Sequence, residues 1–226
     1  MKINKVFASL ILLASMSGFS QNQPTLESMN KMRNWNFGLP ADDPNSNVSG
    51  SQYFTEKFSL AKISVIDNQD FEVRYNAVKD EMEFKMDGKI LWLKKEDSLT
   101  VSFLLEKKVY EFLSYEYKSN PESGYLVRKS NNKKVNVYAK EKITYVPFKD
   151  AINSYEQPVA AHYKKEKEIY LIGVAGKIFE FPKKRKDLVS LFPDKKADIE
   201  NFLKTNKIDF DNANDLIRIA NFANNL

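Results

Sequence analysis

The 226-residue chain has no cysteine, one histidine and seven glycines. Without cysteine there can be no disulfide, thiolate metal site or cysteine nucleophile. A single histidine excludes a histidine-rich zinc site. Scarce glycine argues against a glycine-rich phosphate loop. No apolar run approaches the roughly 20 residues needed to span a bilayer. What is present is aromatic and charged: 16 Phe, 11 Tyr and 2 Trp, with 29% charged residues. Such a chain can bury a core.

Residues 1–20 read as a secretory signal peptide. Lys2 and Lys5 form a positive start, VFASLILLASM from Val6 to Met16 an apolar centre, and Gly18-Phe19-Ser20 a small-residue cleavage site before Gln21. Removing two lysines and no acid lowers the net charge from +5 to +3. Acids and bases alternate along the remainder, so no basic face for nucleic acid is expected. Stability must then come from packing, since an exported chain without cysteine has no covalent staples.

Residues 21–51 read as a flexible leader, with Pro24, Pro40, Pro44 and the turn-rich ADDPNSN. Trp35 and Phe37 are its aromatics. They dock either on the protein's own core or on a partner, and are the candidate partner-contact residues.

Residues 52–226 read as a single α+β domain. Its part over 52–182 is a long antiparallel β-meander, curved into a half-barrel or barrel. FEVRYNA alternates strictly, with Phe71, Val73, Tyr75 and Ala77 on one face. EMEFKM, Asp87-Gly88 and KILWLKK form a hairpin that sets Phe84 opposite Leu91 and Met82 opposite Leu93. Ala175-Gly176 turns a second hairpin. The short segments EKK, KSNPES and SNNKK read as polar connections, and 148–161 as a longer connection broken by Pro158. Residues 183–226 read as a tail of two to three short helices. Their stripes are Leu188/Leu191/Phe192, Ile199/Phe202/Leu203 and Leu216/Ile217/Ala220/Ala223, with Pro193-Asp194 opening the second and Asp211 or Asn212 capping the third.

No motif supplies a catalytic set. His162 reads as a structural or exposed histidine at a strand start. Ser28-Met29-Asn30-Lys31 matches S-x-x-K without its companion motifs. Asp209 to Asp215 has the acids of a calcium loop, but Ala213, Asn214 and Ala220 stand at positions that need a ligand, Gly and Glu. Lys183 to Lys186 reads as a solvated boundary between sheet and tail. Gly173 to Lys177 is a hairpin turn rather than a phosphate loop. Asp80, Glu81 and Glu83 are carboxylates that could pair as in glycosidases, or lie on the solvent face of a strand. The expectation is therefore a protein that is not an enzyme and has no metal or cofactor.

GSQYFTEKF, RYNAVKDEMEF and DLVSLFPDKKADIENFLKTNKI, set around a strand-rich middle, resemble a group of exported proteins with a helical tail from Bacteroidota-type bacteria. The resemblance covers about Gly50 to Leu226. It implies a periplasmic or surface location in a Gram-negative envelope and no particular activity. In such bacteria Asp97-Ser98-Leu99 would match an O-glycosylation tripeptide. The expected function is that of a non-enzymatic envelope protein, a binding or accessory subunit of an outer-membrane or secretion assembly. The alternative is a carrier of an apolar or glycan ligand in a cavity of the curved sheet.

Overall fold

The computed structural model describes residues 48–66, 69–153 and 155–226. The signal peptide, nearly all of the leader, Trp35 and Phe37 lie outside the described residues.

Twelve strands and three α-helices follow in order among the described residues. Strands β1 (Ser59–Ile63), β2 (Asp70–Asn76), β3 (Glu81–Met86) and β4 (Lys89–Trp92) form consecutive antiparallel neighbours. The alternation in β2 buries Phe71, Val73 and Tyr75 and leaves Asp70 and Glu72 exposed. Asp87 and Gly88 both take positive φ, 51° and 74°, the geometry whose twist matches a two-residue hairpin. Phe84 consequently stands opposite Leu91, and the Leu93 amide donates to the Met82 carbonyl at 2.8 Å.

The chain then departs from a simple meander. Strand β5 (Thr100–Phe103) returns to pair with β1, not β4, so β1 sits between β2 and β5. The ten-residue β6 (Lys108–Tyr117) pairs with β5 through its first half and with β7 (Asn120–Arg128) along its length. Strands β8 (Val135–Lys140), β11 (Ile169–Val174) and β12 (Lys177–Glu180) follow. A parallel pairing of Phe179 with Glu116 brings β12 back onto β6. Strands β6, β7, β8, β11 and β12 thus close a five-stranded ring, and β5, β1, β2, β3 and β4 extend from it as a curved sheet. Strands β9 (Ile143–Val146) and β10 (His162–Lys165) form a separate two-stranded ribbon.

KSNPES is not a loop. Lys118 and Ser119 alone make the turn, both at positive φ, and Asn120 to Ser123 belong to β7 with Pro121 opposite Glu116. Proline is accommodated because β8 pairs only with Val127 and Arg128, leaving this stretch of β7 with an open edge.

Three cores result. The first lies inside the curved sheet, where Phe71, Phe84, Tyr75, Tyr110 and Tyr125 are buried. The second fills the ring with Leu113, Tyr115, Leu126, Tyr138, Leu171 and Ile178. In the third, helices α1 (Arg185–Ser190), α2 (Lys196–Thr205) and α3 (Ala213–Asn224) cover Val135, Val137 and Ile172 on the outer face of the ring. A 3₁₀ turn at Pro193–Lys195 links α1 to α2. The Asn212 side chain caps α3 by accepting from the amides of Asn214 (2.9 Å) and Asp215 (3.4 Å). Short helices of this kind persist because their apolar stripes are buried, not through propensity alone. None of the described helices is long and apolar enough to cross a membrane.

Candidate functional site

The segments GSQYFTEKF and RYNAVKDEMEF meet in one buried polar network. The Glu83 side chain, 3% exposed, accepts from Arg74 Nε at 2.8 Å on Oε2; Arg74 Nη2 lies 2.7 Å from the same oxygen and donates to the Tyr53 hydroxyl at 2.7 Å. The Tyr53 hydroxyl donates to Glu83 Oε1 at 3.1 Å, and Asn76 Nδ2 donates to the same oxygen at 3.2 Å. The Arg74 guanidinium also lies over the rings of Tyr53 and Phe58, at 3.8 and 4.4 Å from their centres. Glu83 is therefore not on a solvent face: residues 52–58 cover the side of β3 that the period-two pattern leaves open. Its charge is compensated by the Arg74 guanidinium, as burial requires.

Asn76 links this network to a second cluster. Its Oδ1 accepts from the amides of Val78 (3.2 Å) and Lys79 (3.1 Å), which shapes the turn between β2 and β3. The turn leaves Asp80 at φ +56°. Asp80 accepts from the Tyr75 hydroxyl at 2.6 Å and the Tyr125 amide at 3.3 Å, and pairs with Lys140 at 2.7 Å. Lys140 also donates to the Tyr125 carbonyl at 3.3 Å. Gly124 leaves room for this pair. A Cβ at that position would lie 2.3 Å from Asp80 Oδ2 and 2.6 Å from Lys140 Nζ. Burial holds the Lys140 amine below its ordinary pKa, against the opposing pull of Asp80. Burial, then the Asp80 charge, holds the Tyr75 phenol well above the ordinary range.

Lys140 shares its strand face with Tyr138, whose ring lies inside the five-stranded ring. The Asp80–Lys140 pair thus stands at one mouth of that ring. A cavity of about 220 Å³ opens there, walled by Tyr115 and Tyr117 from β6 and by Ile169 and Leu171 from β11. Glu122, Ser123 and Lys142 complete its polar rim. The Tyr115 hydroxyl donates to Glu122 at 3.0 Å. Burial and this carboxylate both push the Tyr115 phenol up.

On the far side of Tyr75, a second cleft of about 220 Å³ is lined by Phe54, Lys57, Phe103, Lys108 and Tyr110. Behind it, buried Glu141 accepts from Lys108 and, at 2.5 Å, from the Tyr110 hydroxyl. Burial, followed by Glu141, drives the Tyr110 phenol far above its ordinary range.

A third feature is apolar and exposed. Residues 147–153 and 155–161 continue the β9–β10 ribbon as an arm, closed by reciprocal backbone bonds between Lys149 and Val159 at 3.0 and 2.8 Å. The arm carries Phe148, Ile152, Tyr155 and Val159, all exposed, with Tyr155 99% accessible. Half of the exposed large hydrophobics among the described residues are on it.

The three acids singled out in the sequence separate. Asp80 enters the ring mouth, Glu83 the Arg74 network, and Glu81 is half-buried, with burial raising its carboxyl. His162 opens β10, its Nδ1 2.9 Å from the Ala160 carbonyl oxygen. Ser98 is exposed between β4 and β5 at φ +65°. Sequence reasoning missed Lys140, Gly124, Tyr115 and Glu141. For Lys140 a signal existed: in VNVYAK, Asn136, Tyr138 and Lys140 share a face, so the lysine follows an aromatic inward. Chemically, the ring mouth offers fixed donors and acceptors beside aromatic and aliphatic walls, an arrangement suited to binding.

No protein-family model matches the chain, and neither a curated protein nor a solved structure matches it.

Proposed function

We propose that this is an exported, non-enzymatic envelope protein, a binding or accessory subunit of an outer-membrane or secretion assembly, and that it holds a protein partner with the 147–161 arm. The observation that carries this reading is the arm itself. It places four large apolar side chains in water on a backbone closed by two hydrogen bonds. Such a concentration of exposed apolar side chains on one short segment supports an interaction site. Tyrosine at such a tip supplies broad contact area and few rotatable bonds, as aromatic anchors of interfaces do.

The test is purification of the tagged protein from its native envelope under gentle conditions, beside a variant carrying Phe148→Ser, Ile152→Ser and Tyr155→Ser. All three positions are exposed, so the variant should fold. A protein recovered in fixed proportion with the wild type and lost from the variant is the expected result. Recovery of the same partner with both forms, or of the wild type alone, overturns the reading.

A further inference from the structure

We infer that the mouth of the five-stranded ring is a binding site for one neutral sugar residue of a glycan. Nothing in this inference depends on the arm or its partner.

The first argument is charge. The mouth holds two carboxylates, Asp80 and Glu122, and two amines, Lys140 and Lys142. The inner carboxylate and amine already satisfy each other at 2.7 Å. A charged ligand would therefore find no excess of opposite charge to repay its desolvation. A sugar hydroxyl both donates and accepts, so it can give to Glu122 and receive from an amine or from Ser123 at no cost in charge.

The second argument is the walls. Tyr115 and Tyr117 stand two residues apart on β6 and share one strand face. Ile169 and Leu171 do the same on β11. A pyranose has the matching character, with C–H groups on its faces and hydroxyls on its edge. An acyl chain could use the walls but would leave the polar rim unpaired, at the cost of desolvating it. The cavity, about 220 Å³, lies below the roughly 300–1,000 Å³ typical of drug-sized ligands. It suits one ring, with the rest of a glycan lying outside past the exposed Glu122 and Ser123.

The third argument is that the groups are held in place before any ligand arrives. Asp80 is fixed by Tyr75, Lys140 and the Tyr125 amide. The Tyr115 hydroxyl is fixed by Glu122. The missing side chain at Gly124 gives the Asp80–Lys140 pair its space. Fixed polar groups lower the ordering cost of binding. Mouths of β-barrels are among the places where small ligands bind.

The experiment screens the full chain, purified after export, on a printed array of neutral and acidic oligosaccharides. The free form of the strongest neutral binder is then titrated while tyrosine fluorescence is followed. Tyr117→Ala removes part of one wall, and Glu122→Gln alters the exposed rim. Each is expected to weaken binding by about tenfold or more, the loss of one hydrogen bond to a charged group or of one wall. Leu105→Ser, on exposed surface away from the mouth, should bind as the wild type does, and so should the triple arm variant. Absence of any neutral binder at millimolar concentration, retention of acidic glycans alone, or binding unchanged in both rim variants overturns the inference. Because Glu122→Gln keeps size and shape, it decides the matter even if Tyr117→Ala unfolds.

Discussion

Replacing Glu83 with alanine removes the acceptor for three donors, Arg74 Nε, the Tyr53 hydroxyl and Asn76 Nδ2, and the ion-pair partner of Arg74. The guanidinium left behind is only 18% exposed. Removing one member of a buried ion pair costs about 3–5 kcal/mol, because the other charge stays buried. Arg74 retains some access to water and its contact with the Tyr53 ring, which places the loss near the lower end, at about 3 kcal/mol. In a folded unit of this size each kcal/mol moves Tm by about 2–4 °C, so Tm should fall by about 6–12 °C. Urea unfolding followed by circular dichroism measures the free energy, and a thermal scan measures Tm. The double variant Glu83→Leu with Arg74→Met, which removes both charges, should recover most of the loss. A single variant losing less than about 1 kcal/mol would show that this network holds no buried charge of consequence.

Three further predictions rest on single positions or groups. Gly124→Ala should cost about 1–3 kcal/mol in urea unfolding, because its methyl group displaces an Asp80 that three partners hold; a neutral effect would mean that the Asp80–Lys140 pair moves aside freely. Asn212→Ala should cost about 1 kcal/mol through loss of the α3 cap, while Asn212→Asp should be close to neutral by the same measurement. Stability should fall as pH rises above about 10: burial, then Asp80 and Glu141 respectively, raises Tyr75 and Tyr110, and burial, then Glu168, raises Tyr170 to about 12. The unfolded chain releases those protons first, so it binds fewer of them in that range, and the difference favours unfolding. Tyrosinate absorbance should rise in step with loss of the sheet signal, and full ionisation of all 11 tyrosines in a folded protein would contradict it.

Hairpins were legible because their chemistry is local. Asp87-Gly88 and Ala175-Gly176 announce positive φ, and the period of two then fixes register, hence Phe84 opposite Leu91. The Lys118-Ser119 turn has the same geometry without a glycine or asparagine to mark it, and the proline nearby pointed to a loop. Strand order was less accessible. Short connections identify consecutive neighbours, but they say nothing of where β5 returns or that β12 reaches β6. Those pairings are set by which curved face must be covered, a property of the whole sheet. The helical tail was legible in its stripes and in Asn212, since capping and amphipathic spacing are again local.

The polar residues show where alternation stops being informative. In β3, Met82, Glu83 and Phe84 are all buried in succession. A half-buried strand cannot produce that pattern, and here it arises because Gln52 to Phe58 fold over the second face. Just before this segment Gly50 lets the chain run close to β10: it has φ +85°, and a Cβ there would lie 2.7 Å from the Tyr163 carbonyl oxygen. Covering the face turns Arg74, Asn76 and Glu83 from solvent-facing polar residues into an interior network. Asn76 then serves two purposes with one amide. Its nitrogen satisfies Glu83, and its oxygen bends the chain so that Asp80 reaches Lys140 across the ring mouth. Asp80 and Glu83, three residues apart in the segment DEMEF, consequently end in different environments, one at the mouth and one in the core network, and the Asn76 side chain at the end of β2 bonds both to Glu83 and to the turn that carries Asp80.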